Sequence, residues 1–394
     1  MNALGNSYPD IMDVVDKCMA LVKDEVNDLD KLNIIICGKS GVGKSTLINS
    51  VFREDICETG FGRPVTQEMR RWEREGFPLA IYDTKGFELD KDVQKNIKDG
   101  IITAIREGYN KNDIGERIHC IWYCVATPSD RFEDDEAKWL KELAAMPELK
   151  DVPILVILTK SYSKKQAAKM RDYILEVTPE VAQVVCVLAQ DYEMEDDMPP
   201  VKAYGLDTLV NVMAGLLPAS LQKALANIQK VSLEQKVQVA RNVMYGFVST
   251  AITEAAAPIP LADAAMLVPT QITMIAAIAT VFGVHIGRNS LVSIVSATLG
   301  AGGATIIGRN VVSNIFKFFP GIGTAAGIAI GAATAGALTL ALGETFIQIM
   351  SRVFVGEFEV KDLEGPKGRK LISKIFNTQS KVASESIKSI LPNG

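Results

Sequence analysis

Residues 38–45 read Gly38, Lys39, Ser40, Gly41, Val42, Gly43, Lys44 and Ser45, which meets every fixed position of the pattern G-x-x-x-x-G-K-[ST]. The pattern carries chemistry only where a strand runs into it and a helix leaves it. Both flanks are predicted: residues 33–37 are a short β-branched run, and residues 44–52 carry apolar side chains at helical spacing. Gly41 and Gly43 let the backbone wrap closely round an anion, which the loop N–H groups and the helix N-terminus then face. These eight residues, with Thr46 beyond them, are expected to hold the phosphates of a nucleoside triphosphate. Lys44 would reach the β and γ phosphates, and Ser45 would give its hydroxyl to Mg2+.

A loop of this kind demands a sheet behind it. Four further buried-strand candidates follow at residues 79–82, 118–125, 154–158 and 184–188, with charged, helix-like segments between most of them. Strands alternating with helices predict an α/β fold, a mostly parallel central sheet flanked by helices. Residues 11–32 have apolar side chains at helical period and form an amphipathic helix ahead of the first strand. Residues 205–217 close the domain with a helix, and Pro218 is a natural break. The expected organisation is an N-terminal helix over 1–32, a nucleotide domain over 33–218, an apolar helical domain over 219–360 and a lysine-rich tail over 361–394.

The chain is 48% apolar and 23% charged with a formal net charge of −5, which excludes a disordered chain and offers no global sign of nucleic-acid binding. Its six cysteines are scattered and share no zinc-ligand spacing, a pattern of the reducing cytosol. Residues 1–9 show no secretory signal, so a cytoplasmic location is expected. Residues 219–257 contain few helix breakers and predict long helix, continuous or interrupted, ended at Pro258 and Pro260. Beyond it, residues 264–287, 289–308 and 318–343 lack charged side chains, and each is long enough to cross a bilayer of roughly 20 residues' depth. Two readings stay open: tightly packed helices of a soluble or oligomeric domain, or close-packed membrane helices at the inner face of a membrane, since small residues suit both. The cations of the tail, Lys361, Lys367, Arg369, Lys370, Lys374, Lys381 and Lys388, read as a solvated helix face ahead of an anionic-lipid contact.

A second constellation follows the first. Residues 78–86 repeat the arrangement of an apolar strand that ends in an acid, Asp83, and then a glycine, Gly86. Asp83 is expected to hold Mg2+ through water, and the Gly86 N–H to meet the γ phosphate, a sensor of that phosphate. Between the two lies a loop in which Thr66 is the expected Mg2+ ligand and first switch, with Thr59 the competing candidate. Lys44 and Thr66 are the expected catalytic pair.

With these residues in order, and Thr159 and Lys160 following, residues 33–217 resemble an Era-like GTPase of the TrmE–Era–EngA group. The resemblance implies GTP and GDP as ligands, Mg2+ as cofactor, and Thr159 and Lys160 beside the base. Residues 255–263 and 271–276 resemble an uncharacterised helical domain often fused behind such GTPases. The order of helix, GTPase and helices is also loosely similar to immunity-related and dynamin-like GTPases. Two departures qualify it. Where the group's N/T-K-x-D motif places a guanine-pairing acid, this chain has Tyr162, which leaves an ATP-using or unspecific nucleotidase open as an alternative. Phe87, not a glutamine, follows Gly86, and Gly41 stands where potassium-activated relatives carry asparagine, so slow hydrolysis is expected. Arg63, Arg70, Arg71 and Arg74 read as a charged face ahead of a finger reaching into a second copy. The acids from Asp130 to Glu136 read as a loop entering a helix rather than a metal site.

Overall fold

The computed structural model describes residues 11–54, 61–66, 68–86, 91–129, 132–193, 199–256, 264–284, 286–299 and 332–390. The chain divides into two compact units, Asp28–Gln235 and a helical one made of Met1–Asn27 with Lys236–Gly394. The boundary expected near 218 therefore falls inside the first unit.

Five of the strands in that unit are the expected ones: β1 (Leu32–Gly38), β4 (Phe77–Thr84), β5 (Cys120–Ala126), β6 (Ile154–Thr159) and β7 (Gln183–Cys186). Two more, β2 (Phe61–Pro64) and β3 (Met69–Arg74), give a seven-stranded sheet in the order β2-β3-β4-β1-β5-β6-β7. β4, β1, β5, β6 and β7 pair in parallel, and β2 and β3 add an antiparallel edge. Because side chains alternate across a strand, β1 feeds two cores. Ile35 and Cys37 face one, completed by α3 (Lys91–Asn110), α4 (Asp134–Ala144) and α5 (Lys164–Val177). Leu32, Ile34 and Ile36 face the other, with α2 (Lys44–Val51), α6 (Leu206–Leu216) and α7 (Gln222–Ile228). Leu221, Leu225 and Ile228 belong to this second core.

The entry to β1 is closed by His119, which is buried. Its Nδ1 accepts the Asn33 N–H at 2.9 Å, and its Nε2 lies 2.8 Å from the Ile114 carbonyl. Both bonds form only in the neutral ring with the proton on Nε2. Burial is the main reason its pKa falls to about 4, opposed by the Ile114 bond and aided by Arg117.

In the second unit, α1 (Ile11–Asn27) packs on α9 (Ala264–Phe282) and α10 (Arg288–Leu299). Asp16 and Arg288 form a two-pronged ion pair at its surface. Of the two forms expected for 219–257 the interrupted one is found: the helix is broken at residues 229–232, so that α8 (Leu233–Ala256) starts anew. No glycine or proline causes the break: the Gln229 side chain turns back to accept the N–H groups of Val231 and Ser232. α11 (Ala332–Phe354) packs on α9 and on α12 (Pro366–Ile390). The polar tail, expected to be helical at 371–376, is a longer helix with Ile372, Phe376 and Ile387 buried. Of the three uncharged stretches, 300–308 and 318–331 lie outside the described residues, as do Pro258 and Pro260.

Candidate functional site

β1 delivers the phosphate-binding loop between two parallel neighbours, with Ile36 level with Asp83 of β4 and Gly38 level with Cys124 of β5. The turn out of the strand has a φ of +138° at Gly38, where a Cβ would run into the Cys124 carbonyl oxygen. Gly41 and Gly43 take φ of +73° and +99°, and the Leu47 N–H bonds the Gly43 carbonyl to start α2. Val42 is buried, while Ser40, Gly41, Ser45 and Thr46 are exposed at the mouth. Lys44 folds back over the loop, its ammonium 2.9 Å from the Gly38 carbonyl and 3.2 Å from that of Lys39. Among the described residues its hydrogen bonds go to carbonyls and none to a carboxylate, which leaves the ammonium able to exchange them for an arriving phosphate.

Lys39 is committed elsewhere. Its ammonium lies 3.1 Å from Glu133 and 3.2 Å from Glu136. Desolvation opposes its charge, but the two carboxylates outweigh this and hold its pKa above the usual lysine value. Glu136 is buried and also accepts the Tyr123 hydroxyl at 3.0 Å, while Glu133 and Glu136 form the reciprocal cap of α4. The acids read as a loop therefore tie the phosphate loop to a helix start, beside a cavity of about 210 Å³ that both elements line. The E-x-x-E spacing at a helix start hinted at the cap, and nothing in the sequence pointed to Lys39.

Asp83 ends β4. Its Oδ1 is buried with no hydrogen-bond partner among the described residues. Burial raises its pKa, with Lys44 pulling the other way. A buried carboxylate oxygen left unpaired beside a phosphate loop suits a hard divalent cation, which takes oxygen ligands. Gly86 lies directly against the loop, where a Cβ would come within 2.5 Å of the Ser40 nitrogen and clash with its hydroxyl. Thr66 sits in the hairpin between β2 and β3, which the Lys85 N–H to Glu68 carbonyl bond fastens to the end of β4. Its hydroxyl accepts the Glu68 N–H, and its side chain rests where Gly100 of α3 leaves room. Thr66 is thus turned to α3. Thr59, Gln67 and Phe87 lie outside the described residues. Arg71 is held by Glu73 at 3.0 Å and lies over the Tyr82 ring, and Arg74 pairs with Glu54.

At the far end of the site, Thr159 donates its hydroxyl to the carbonyls of Val42 and, at 3.1 Å, Val125. Lys160, at a φ of +52°, lays its ammonium 2.8 Å from the Gly41 carbonyl. Both predicted base-side residues therefore fasten the end of β6 to the phosphate loop. Ser161 is buried, and the Tyr162 ring packs on that of Tyr192, centroids 4.1 Å apart. No spacing or motif links these two tyrosines in the sequence.

Residues 33–160 match the 50S ribosome-binding GTPase family, and residues 219–381 match DUF697, a domain of unknown function. Three relatives illustrate the range. Neuronal-specific septin-3 of Danio rerio is 26% identical over 152 residues, 33% of this chain and 41% of the relative. Magnetosome membrane protein 22 of Magnetospirillum gryphiswaldense is 29% identical over 114 residues, 28% of this chain and 56% of the relative. GTPase Der of Brucella ovis is 33% identical over 92 residues, 20% of this chain and 19% of the relative. The chain spans less than two thirds of the length of each. The phosphate loop thus lies in a stretch that matches a GTPase family, and the match to a second family, of unknown function, begins at residue 219.

Proposed function

We propose that the protein binds GTP with Mg2+, hydrolyses it slowly, and acts as a nucleotide switch. The observation that carries the reading is the buried Oδ1 of Asp83, without a hydrogen-bond partner among the described residues, beside a phosphate loop whose Lys44 hydrogen-bonds the Gly38 and Lys39 carbonyls. On this reading Lys44 leaves the Gly38 and Lys39 carbonyls for the phosphates. Ser45 and Asp83 hold the metal, which when bound offsets phosphate charge. Gly86, already against Ser40, would meet a terminal phosphate there, and Thr66 is the further oxygen donor that the metal would take. With Phe87 in place of a water-orienting glutamine, turnover is slow without a partner. Kinship with the Era-like group is part of the same reading, supported by the order of Thr66, Asp83, Gly86, Thr159 and Lys160. Lys44→Ala in the full chain should weaken GTP binding about a hundredfold in calorimetry, and chelating Mg2+ should weaken it about tenfold or more. Unchanged affinity in Lys44→Ala would sink the site.

A second reading, attachment of the helical unit to the inner face of a membrane, is favoured by two features. Among the described residues, α11 alone is long and apolar enough to span a bilayer, although most of it is buried within its own unit. α12 exposes Lys370, Lys374 and Lys381 along one stripe, with no acid between residues 366 and 384. Full-length protein should sediment with anionic vesicles and less with neutral ones, and the triple change of these lysines to glutamate should abolish the difference. Equal sedimentation with both vesicles rules the reading out.

A further inference from the structure

The position at which a guanine-pairing acid is missing is not simply vacant of function. We propose that Tyr162 and Tyr192 are the base-reading wall of the nucleotide site, holding a purine by its ring face with little choice between guanine and adenine. The inference rests on the nucleotide reading above and adds the determinant of its base selectivity.

The backbone leading to Tyr162 is fixed from several sides. Thr159 and Lys160 are fastened to Val42 and Gly41, so the end of β6 borders the phosphate loop on the side away from Asp83. Ser161 turns inward: its hydroxyl meets Thr127 at 2.9 Å and donates to the Leu158 carbonyl at 2.8 Å. Its N–H bonds the Val187 carbonyl, and its own carbonyl accepts the Tyr204 hydroxyl at 2.8 Å. With Ser161 inside, Tyr162 leaves on the outer face, half-buried, and meets Tyr192. Tyr192 is itself held by a two-way backbone bridge with Val201, each bond 2.9 Å. Asp191 beside it is occupied by Lys202 at 2.7 Å and the Ala203 N–H at 2.8 Å.

The chemistry follows from what each purine presents. Guanine offers adjacent ring and amino N–H groups, and a fixed carboxylate accepts both and rejects adenine. A phenol has one hydroxyl that can rotate to donate or accept, so it satisfies either base. The ring faces, in contrast, stack on any purine, because every base has a π face. Two tyrosines joined at 4.1 Å and pinned at both backbones therefore supply affinity for a purine ring without supplying a guanine code.

The test uses the full chain and measures affinity for GTP, ATP and inorganic tripolyphosphate. Wild-type protein should bind GTP and ATP within about tenfold of each other. Tyr192→Ala should weaken both about five- to a hundredfold while leaving tripolyphosphate unchanged, which also reports an intact phosphate loop. Tyr162→Asp should raise the preference for GTP over ATP about tenfold or more. A wild-type preference for GTP of a hundredfold, or a Tyr192→Ala protein with unaltered affinity for both nucleotides, overturns the proposal. Failure of tripolyphosphate to bind the wild type overturns the site reading and the base wall with it.

Discussion

At Gly38 and Gly86 of the nucleotide unit a glycine stands against main chain; at Gly336 and Gly343 of α11 in the other unit it stands against side chains. A Cβ at Gly38 or Gly86 would strike the Cys124 carbonyl or the Ser40 nitrogen, while one at Gly343 would meet the Met244 side chain. Peptide groups locked in a sheet or a phosphate loop cannot retreat, whereas a methionine has three rotatable bonds. The difference teaches that the phosphate loop is specified by positions fixed to within a bond length, and the packing of α11 by volume, which many sequences can fill.

The contrast predicts its largest effect at Gly38. Alanine there combines a φ of +138°, which L residues avoid, with a collision against main chain shared by β1 and β5. The nucleotide unit should lose at least about 3 kcal/mol. Trp72, Trp122 and Trp139, the chain's three tryptophans, all lie in this unit, so fluorescence in urea reads its unfolding alone. A loss below about 1 kcal/mol would show that the strands yield as side chains do.

Acid gives the next effect, and it too should fall on the nucleotide unit. Protonating His119 at Nδ1 would set a donor against the Asn33 N–H. Since the folded pKa is depressed to about 4 from the usual histidine value of 6.5, the unfolded chain takes up the proton first as pH falls. The contribution of His119 is therefore intact above pH 6.5, is lost between 6.5 and about 4, and levels off below that. It should amount to about 2 kcal/mol by pH 5. Comparing urea midpoints at pH 7 and 5 for the wild type and His119→Asn isolates it, because the variant is missing only this titration. An equal drop in both proteins would assign the acid sensitivity to carboxylates.

Much of this rigid unit was legible in the sequence because its strands are apolar runs that end on chemistry: β1 on the glycine loop, β4 on Asp83, β6 on Thr159. β3 was not legible. Its sequence, Met69 to Arg74, is rich in arginine, and it becomes a strand because Arg71 finds Glu73, Glu116 and the Tyr82 ring once the sheet has formed. The helix break at residues 229–232 has the same character, since a glutamine side chain, not a breaker residue, ends the helix. The site divides likewise. Its phosphate end follows from local spacing, whereas the Tyr162 and Tyr192 pair depends on the bridge that brings Val201 back to Tyr192. The amphipathic helix ahead of β1 was readable as a helix, but its partners, α9 and α10, lie more than two hundred residues on. Periodicity reports that a face is buried and says nothing of what buries it.

The smallest effect is expected at Gly343. The new Cβ would stand 2.5 Å from the Met244 Cγ, 2.6 Å from its Sδ and 3.2 Å from the Met274 Sδ, so both methionines must move. Overpacking of this kind costs about 1–3 kcal/mol where neighbours resist. Here the neighbours are flexible, and alanine in a helix interior returns about 1 kcal/mol over glycine. The helical unit should therefore lose no more than about 1 kcal/mol in Gly343→Ala, read by circular dichroism at 222 nm. Because Met244 of α8 and Met274 of α9 share the adjustment, Met244→Leu in the same background should raise the cost: a branched side chain of similar volume gives less. A loss of about 3 kcal/mol in Gly343→Ala itself would mean that α8, α9 and α11 are locked as tightly as the strands around Gly38, and the distinction between the two units would fail.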